Sequence, residues 1–133
     1  MGAASAIEDD GQLQGRLQFS GLDAQALARI RAISPLVLKH LRPALDQFYE
    51  KIATTSEVAT FFSGPEQMGR AKASQARHWE AIAKGEMGQD YYASSVAIGN
   101  RHARIGLKPN WYINGYGLIV ETMIKGVMSD WMA

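Results

Sequence analysis

The chain has 133 residues, of which 47% are hydrophobic and 20% charged, and its formal net charge is +1. This length suits one domain with a buried core, and the near-zero charge gives no strong attraction for nucleic acid or an anionic membrane. Because the chain has no cysteine, disulfides, thiolate zinc sites and iron–sulfur clusters are excluded. This composition fits a reducing cytoplasm.

The N-terminal end shows no targeting signal. Residues 1–11 are small, acidic and polar, without an apolar core segment, so we expect a disordered tail there and a folded domain over residues 12–133. The longest strongly apolar stretch, around residues 116–120, is too short to cross a bilayer. A short helix over about residues 12–19 would begin the domain. We expect a soluble, cytoplasmic protein.

Two helices are predicted next. Asp23 can cap a helix that runs to about Ile33. Ser34 and Pro35, a capping residue followed by proline, predict the start of a second helix that ends near Ala53. Pro43 inside this second helix predicts a kink or a break.

The remainder of the chain also has helical periodicity, without the alternating pattern of a strand. Proline at helix starts and glycine at helix ends delimit these elements. The chain is therefore predicted to be all-α, and its later elements are a short turn-rich segment over residues 56–62 and helices over about residues 65–84, 89–105 and 109–131.

The histidines His40, His78 and His102 are the natural candidates for chemistry. No two of them stand four residues apart, and no Glu-x-x-His occurs, so a helical zinc site is not indicated. A single helical histidine more often has a packing role. Around His102, however, Gly99 one turn earlier and small residues on the preceding helix leave room for a flat ligand against the backbone. On physical grounds alone, close packing of two helices explains the small residues at least as well.

The stretch IGNRHARIGLKPNWYINGYG, which contains His102, resembles the proximal motif of globin-coupled sensors and protoglobins. The stretches ALDQFYEKI, FFSGPEQM and QARHWEAI resemble other parts of the same family, in the same order, and the likeness covers most of residues 22–125. It implies a globin fold of the globin-coupled sensor type with an N-terminal extension. The family has one more long helix after the one that begins here at Pro109, so the resemblance also implies that the final helix is lacking.

Residue by residue, the resemblance implies a haem site. His102 would be the ligand of the iron of haem b, and Tyr49 the distal residue that contacts a bound gas. Ser74 is a second candidate hydroxyl donor, and Tyr112 would pack behind the proximal helix. The remaining expected pocket residues are Phe48, Met68, Ala71 and Gly99. His78 is expected to pack or to lie near a haem propionate, and Arg101 and Arg104 either neutralise propionates or are solvated.

The implied function is a sensor domain that binds O2 reversibly, and also CO or NO, and passes the ligation state to an output module. A homodimer built on the helix from Pro109 is implied as well, with no nucleic-acid or membrane partner and no catalytic residue in the domain. Two alternatives stay open: a haem enzyme that reacts with O2, NO or peroxide, and a cofactor-free helical dimerisation module in which His102 and Tyr49 are core residues.

Overall fold

The structure is a computed structural model that describes the backbone of residues 2–133 and the side chains of residues 11–133. This part of the chain is all-α and contains no strand. Its helices are α1 (Gly2–Phe19), α2 (Ala24–Thr54), α3 (Ser56–Ala59), α4 (Pro65–Ala83), α5 (Gln89–Ile105) and α6 (Pro109–Met132).

The first helix is longer than the sequence predicted. α1 begins at Gly2, ten residues before the helix start that the sequence predicted near residue 12. The segment is rich in alanine and has no proline, and these features favour a helix in spite of its polarity. At its other end, Leu13 is buried and the Tyr92 hydroxyl of α5 donates a hydrogen bond of 2.9 Å to Gln12 Oε1. α1 therefore covers the outer side of α5.

The predicted boundary at Ser34 is wrong, because α2 continues from Ala24 to Thr54 through Pro35 and Pro43. Both prolines are exposed, so their rings lie on the solvent side, where a helix can bend and release a carbonyl to water. Burial of the opposite face then stabilises the continuous helix. The predicted cap at Asp23 is confirmed: its carboxylate accepts a 2.8 Å hydrogen bond from the Ala26 amide.

The later helix ends agree closely with the sequence prediction. Pro65 and Pro109 stand in the first turns of α4 and α6. Gly85 and Gly106 follow α4 and α5 with φ of +67° and +76°, in the left-handed region that favours glycine. Gly106 ends α5, and α6 begins three residues later at Pro109.

The core lies where α2 packs against α6 and α4. Leu45 and Ile119 are its most deeply buried large side chains. Phe48 packs so close to Gly115 that a Cβ there would lie 3.0 Å from its ring. Tyr92 is the one buried residue of α5, and it faces α1, whereas Ile98, His102 and Ile105 of α5 line a cavity. None of the described helices is both long and apolar enough to cross a membrane.

Candidate cofactor-binding cavity

A cavity of about 570 Å³ lies between α2, α4, α5 and the first turns of α6. Pockets for small molecules and cofactors span about 300–1,000 Å³, so this volume suits a ligand of cofactor size. Aromatic and aliphatic side chains form most of its wall, with a few polar groups among them. The lining residues are Phe48, Tyr49, Ile52, Val58, Phe61, Phe62, Gln67, Arg70, Ala71, Ser74, Gln75, Arg77, His78, Ile98, Arg101, His102, Ile105, Leu107, Trp111, Tyr112, Gly115 and Tyr116.

Tyr49 reaches the cavity from α2. Only 9% of the residue is exposed, and its ring meets Phe48 edge-on at 5.2 Å between centroids. Its hydroxyl donates a hydrogen bond of 2.9 Å to Gln75 Oε1 on α4. Burial, and secondarily Tyr116, raises the pKa of Tyr49 to about 12. The hydroxyl therefore keeps its proton, and remains a hydrogen-bond donor, throughout the physiological pH range.

His102 reaches the same cavity from the last turn of α5. Its ring stacks on Tyr112 of α6, with centroids 5.0 Å apart and planes 20° from parallel. Burial lowers the pKa of His102 below 6.5, and the neighbouring Arg101 charge adds to this effect. The imidazole is therefore neutral at pH 7. A neutral imidazole has one nitrogen lone pair free to bind a metal.

The structure brings six of the eight predicted pocket residues into one lining. These residues are Phe48, Tyr49, Ala71, Ser74, His102 and Tyr112. The other two lie elsewhere. Met68 packs against the main core, and Gly99 is exposed with nothing near its Cα that a Cβ would meet. The face of α5 that lines the cavity carries Ile98, His102 and Ile105. Gly99, one position after Ile98, points away from this face.

Several polar groups of the lining, among them Gln75, Arg70 and Arg77, are not among the pocket residues predicted from the sequence. Gln75 stands one turn after Ala71 on α4, so helical spacing already placed it near the predicted face. Arg70, Arg77 and Arg101 have exposed side chains that also border the cavity. Their positive charges border a cavity whose wall is mainly apolar. Arg104, which was considered with Arg101, is not in the lining.

His78 lies at the junction of this cavity with a smaller one of about 270 Å³. Its ring stacks on Tyr91 at 5.4 Å, and its Nδ1 is buried without a hydrogen-bond partner among the described residues. Burial lowers the pKa of His78. Its packing role was one of the two expected from the sequence. Its Nδ1, which has no partner among the described residues, is also available for a hydrogen bond with a ligand.

In this all-α chain, the imidazoles of His78 and His102 and the hydroxyl of Tyr49 line one cavity with a mainly apolar wall. The sequence matches the Protoglobin family over residues 9–132, and the chain belongs to this family. Both the family and the all-α globin fold were predicted from the sequence, and both predictions are confirmed.

A curated relative is similar over nearly the same span. The heme-based aerotactic transducer HemAT of Halobacterium salinarum is 24% identical over 126 residues, which are 94% of this chain and 26% of that protein. The chain therefore spans about a quarter of the length of this relative.

Proposed function

We propose that this chain is a haem-based oxygen-sensing domain, with haem b in the 570 Å³ cavity and His102 as its iron ligand. The observation that carries the proposal is that a neutral imidazole and a protonated tyrosine hydroxyl line one apolar cavity of cofactor size. The similarity to a protein named a heme-based transducer supports it.

The residues present suit a flat, mainly apolar group with acidic substituents. His102 Nε2 or Nδ1 would hold the metal, and stacking on Tyr112 would fix the orientation of the imidazole ring. Aromatic side chains such as Phe62 and Tyr116 would exclude water. Arg70, Arg77 and Arg101, which border the cavity, would pair with the two propionate carboxylates of haem. When bound, haem supplies an iron with a coordination position for a diatomic gas.

Tyr49 would select the gas. A bound O2 with partial negative charge would accept a hydrogen bond from the Tyr49 hydroxyl, and a hydrogen bond to a charged partner contributes about 1.5–3 kcal/mol, or roughly 10- to 100-fold in affinity. CO and NO enter the same cavity, but CO carries less charge and gains less from the donor. Ser74 is the second hydroxyl in the lining and a weaker candidate for the same role.

Signal transmission would pass from α5 to α6. The stacked pair His102 and Tyr112 joins these two helices directly. α6 exposes several large apolar side chains, among them Ile113, Ile124 and Trp131, and we propose that a homodimer forms on this helix. The ligation state would reach an output module through that interface, in a cytoplasmic protein whose own domain catalyses no reaction.

The first test is the visible absorption spectrum of the reduced protein with and without O2. We expect a Soret band that shifts with O2. The His102→Ala variant should lose the band or its histidine-ligated form. His40→Ala is the matched control, because His40 lies outside the cavity and should leave the spectrum unchanged. A folded protein that shows no Soret band after haem is supplied would refute the proposal.

The role of Tyr49 is tested by Tyr49→Phe. We expect O2 to dissociate about 10- to 100-fold faster, because the charge-assisted hydrogen bond is lost, while CO dissociation changes little. Stopped-flow kinetics measures both rates. Tyr92→Phe removes a hydroxyl whose hydrogen-bond partner among residues 11–133 is Gln12 on α1, and it should alter neither rate. Unchanged O2 dissociation in Tyr49→Phe would show that another group stabilises the gas.

A further inference from the structure

The hydroxyl of Tyr49 already has a partner. Its donor–acceptor distance to Gln75 Oε1 is 2.9 Å, within the normal range for an O–H···O hydrogen bond. The bond crosses from α2 to α4, and both residues line the cavity. The contact is part-buried, so the bond is screened from bulk water for much of its surface.

A tyrosine hydroxyl has a single proton to donate. If that proton is shared with the Gln75 carbonyl, it is not available to a gas molecule in the cavity. The Tyr49 ring is held edge-on by Phe48 at 5.2 Å and by Phe62 at 6.4 Å, so the phenol cannot easily move to a new place. What remains free is the rotation of the O–H bond about the C–O axis.

We propose that the Gln75 carbonyl competes with the bound gas for the Tyr49 proton, and that Gln75 thereby sets the O2 affinity of the domain. The inference rests on the proposed function, since it assumes a gas ligand beside Tyr49. Gln75 is a positioning residue: it acts through Tyr49 and does not itself contact the gas. An O2 molecule gains the Tyr49 hydrogen bond only after the bond to Gln75 is broken.

Competition of this kind lowers the O2 affinity by the free energy of the bond that is broken. A neutral hydrogen bond of this type corresponds to about a two- to tenfold change in an equilibrium constant. The effect is confined to ligands that use the Tyr49 donor. The Gln75 contact therefore tunes O2 binding within the larger range that Tyr49 itself provides, and leaves CO almost unaffected.

The orientation of the Gln75 amide decides the sign of the effect. With Oε1 toward Tyr49, as found here, the carbonyl takes the proton. With the amide reversed, the NH2 group would donate to the tyrosine oxygen and leave the proton free for the gas, so that Gln75 would assist binding. Replacing Gln75 by leucine removes either contact, and the two orientations predict opposite changes.

The test compares Gln75→Leu with the wild-type protein by stopped-flow kinetics. We expect O2 to dissociate about two- to tenfold more slowly from Gln75→Leu, with CO dissociation unchanged. Gln75→Glu restores an acceptor for the Tyr49 proton and should return the O2 dissociation rate to the wild-type value or above it. Gln47→Leu is the matched control: it makes the same exchange on α2 at an exposed position two residues before Tyr49, and neither rate should change.

A second readout follows the hydrogen bond without a gas ligand. In protein labelled at the tyrosine ¹³Cζ, the Tyr49 signal, assigned with Tyr49→Phe, should shift in Gln75→Leu and stay in place in Gln47→Leu. An unmoved signal would overturn the Tyr49–Gln75 bond. Faster O2 dissociation from Gln75→Leu, or equal changes for O2 and CO, would overturn the competition. A wild-type protein that binds no haem would refute the proposed function, while the ¹³C signal would still report on the hydrogen bond.

Discussion

The interface of α2 with α6 and the wall formed by α4 and α5 are built in opposite ways. Between α2 and α6 the side chains interlock: Leu45 and Ile119 are fully buried, and glycines on α6 admit the rings of Phe48 and His40. At the C-terminal end of α6, Asp130 accepts hydrogen bonds from Lys39 and His40 of α2, at 2.8 and 2.7 Å. The α2–α6 interface is therefore closely packed, and the polar side chains at its end are hydrogen-bonded to one another.

The wall of α4 and α5 encloses open space. α5 has only Tyr92 in the buried set, and its inner face borders the cavity. Buried polar atoms without a hydrogen-bond partner among the described residues include His78 Nδ1 and Ser95 Oγ, both on these two helices. An unsatisfied buried polar group costs about 1–3 kcal/mol. The α2–α6 interface therefore forms most of the core, whereas α5 borders a cavity and contributes little to that core.

The largest expected effect comes from the same isoleucine-to-alanine exchange on each side of this comparison. Ile119→Ala should lower the free energy of unfolding by about 2–5 kcal/mol, because it opens a void in a close-packed site. Ile98→Ala on the cavity wall should cost about 1 kcal/mol or less, because the side chain is half-buried and already borders open space. Denaturant unfolding measures both.

If Ile119→Ala and Ile98→Ala lowered the free energy of unfolding equally, the cavity wall would be as tightly packed as the α2–α6 interface, and the contrast between the two regions would be wrong. The difference should narrow when a cofactor fills the cavity, because Ile98 then gains a packing partner. Unfolding with and without added haem therefore tests the same contrast a second time.

The next effect concerns the glycines of α6. A Cβ at Gly126 would overlap the imidazole ring of His40, while a Cβ at Gly117 would meet nothing within 4 Å. Gly126→Ala should destabilise the protein by about 1–3 kcal/mol through this overlap, and Gly117→Ala should stabilise it by up to about 1 kcal/mol through helix propensity. Thermal or denaturant unfolding decides between these signs.

The overlap is with the imidazole ring of His40, so removing that ring should relieve it. In the double variant His40→Ala, Gly126→Ala, the added methyl group should cost little, because the ring it displaces is gone. If Gly126→Ala is neutral in the wild-type background, the ring moves aside freely and its hydrogen bond to Asp130 contributes little to the α2–α6 interface.

Helix types and most helix ends could be predicted from local signals, such as Asp23 before α2, Pro65 and Pro109 at helix starts, and Gly106 after α5. The boundary at Ser34 could not, since burial of one face of α2 outweighs the local preference of a proline. The predicted site residues on the inner faces of α2 and α5 meet in the cavity. Their exact rotation about the helix axis depends on packing, and it leaves Gly99 at an exposed position of α5.

Contacts between distant segments had no local signal at all. Nothing in the sequence around Gly126 shows that it must admit His40, and nothing around Gln75 shows that its carbonyl faces the Tyr49 hydroxyl. Both depend on how two helices cross. The family resemblance supplied His102 and Tyr49, but a resemblance gives the positions that relatives share and not the contacts particular to this chain.

The smallest expected effect separates the two regions by their response to acid. Burial lowers the pKa of His78 in the folded chain. When the pH falls below about 6.5, the unfolded chain therefore binds a proton at His78 more readily than the folded chain does, and this difference favours unfolding. The contribution of His78 is thus present above that pH and is lost as the pH falls through its lowered pKa. The hydrogen bonds from Lys39 and His40 lower the pKa of Asp130 below 3.8, so its contribution is lost only in stronger acid.

We therefore expect the free energy of unfolding to fall in two steps, first on the cavity side and later at the α2–α6 interface. Denaturant unfolding at a series of pH values should show that His78→Phe reduces the first step, to which the lowered pKa of His102 also contributes. Asp130→Asn should flatten only the second. His78→Phe also removes the unpaired Nδ1, so it should not destabilise the protein at pH 7. If Asp130→Asn instead removed the first step, the acid-sensitive contact would lie between α2 and α6, and the cavity wall would not be the first region to loosen.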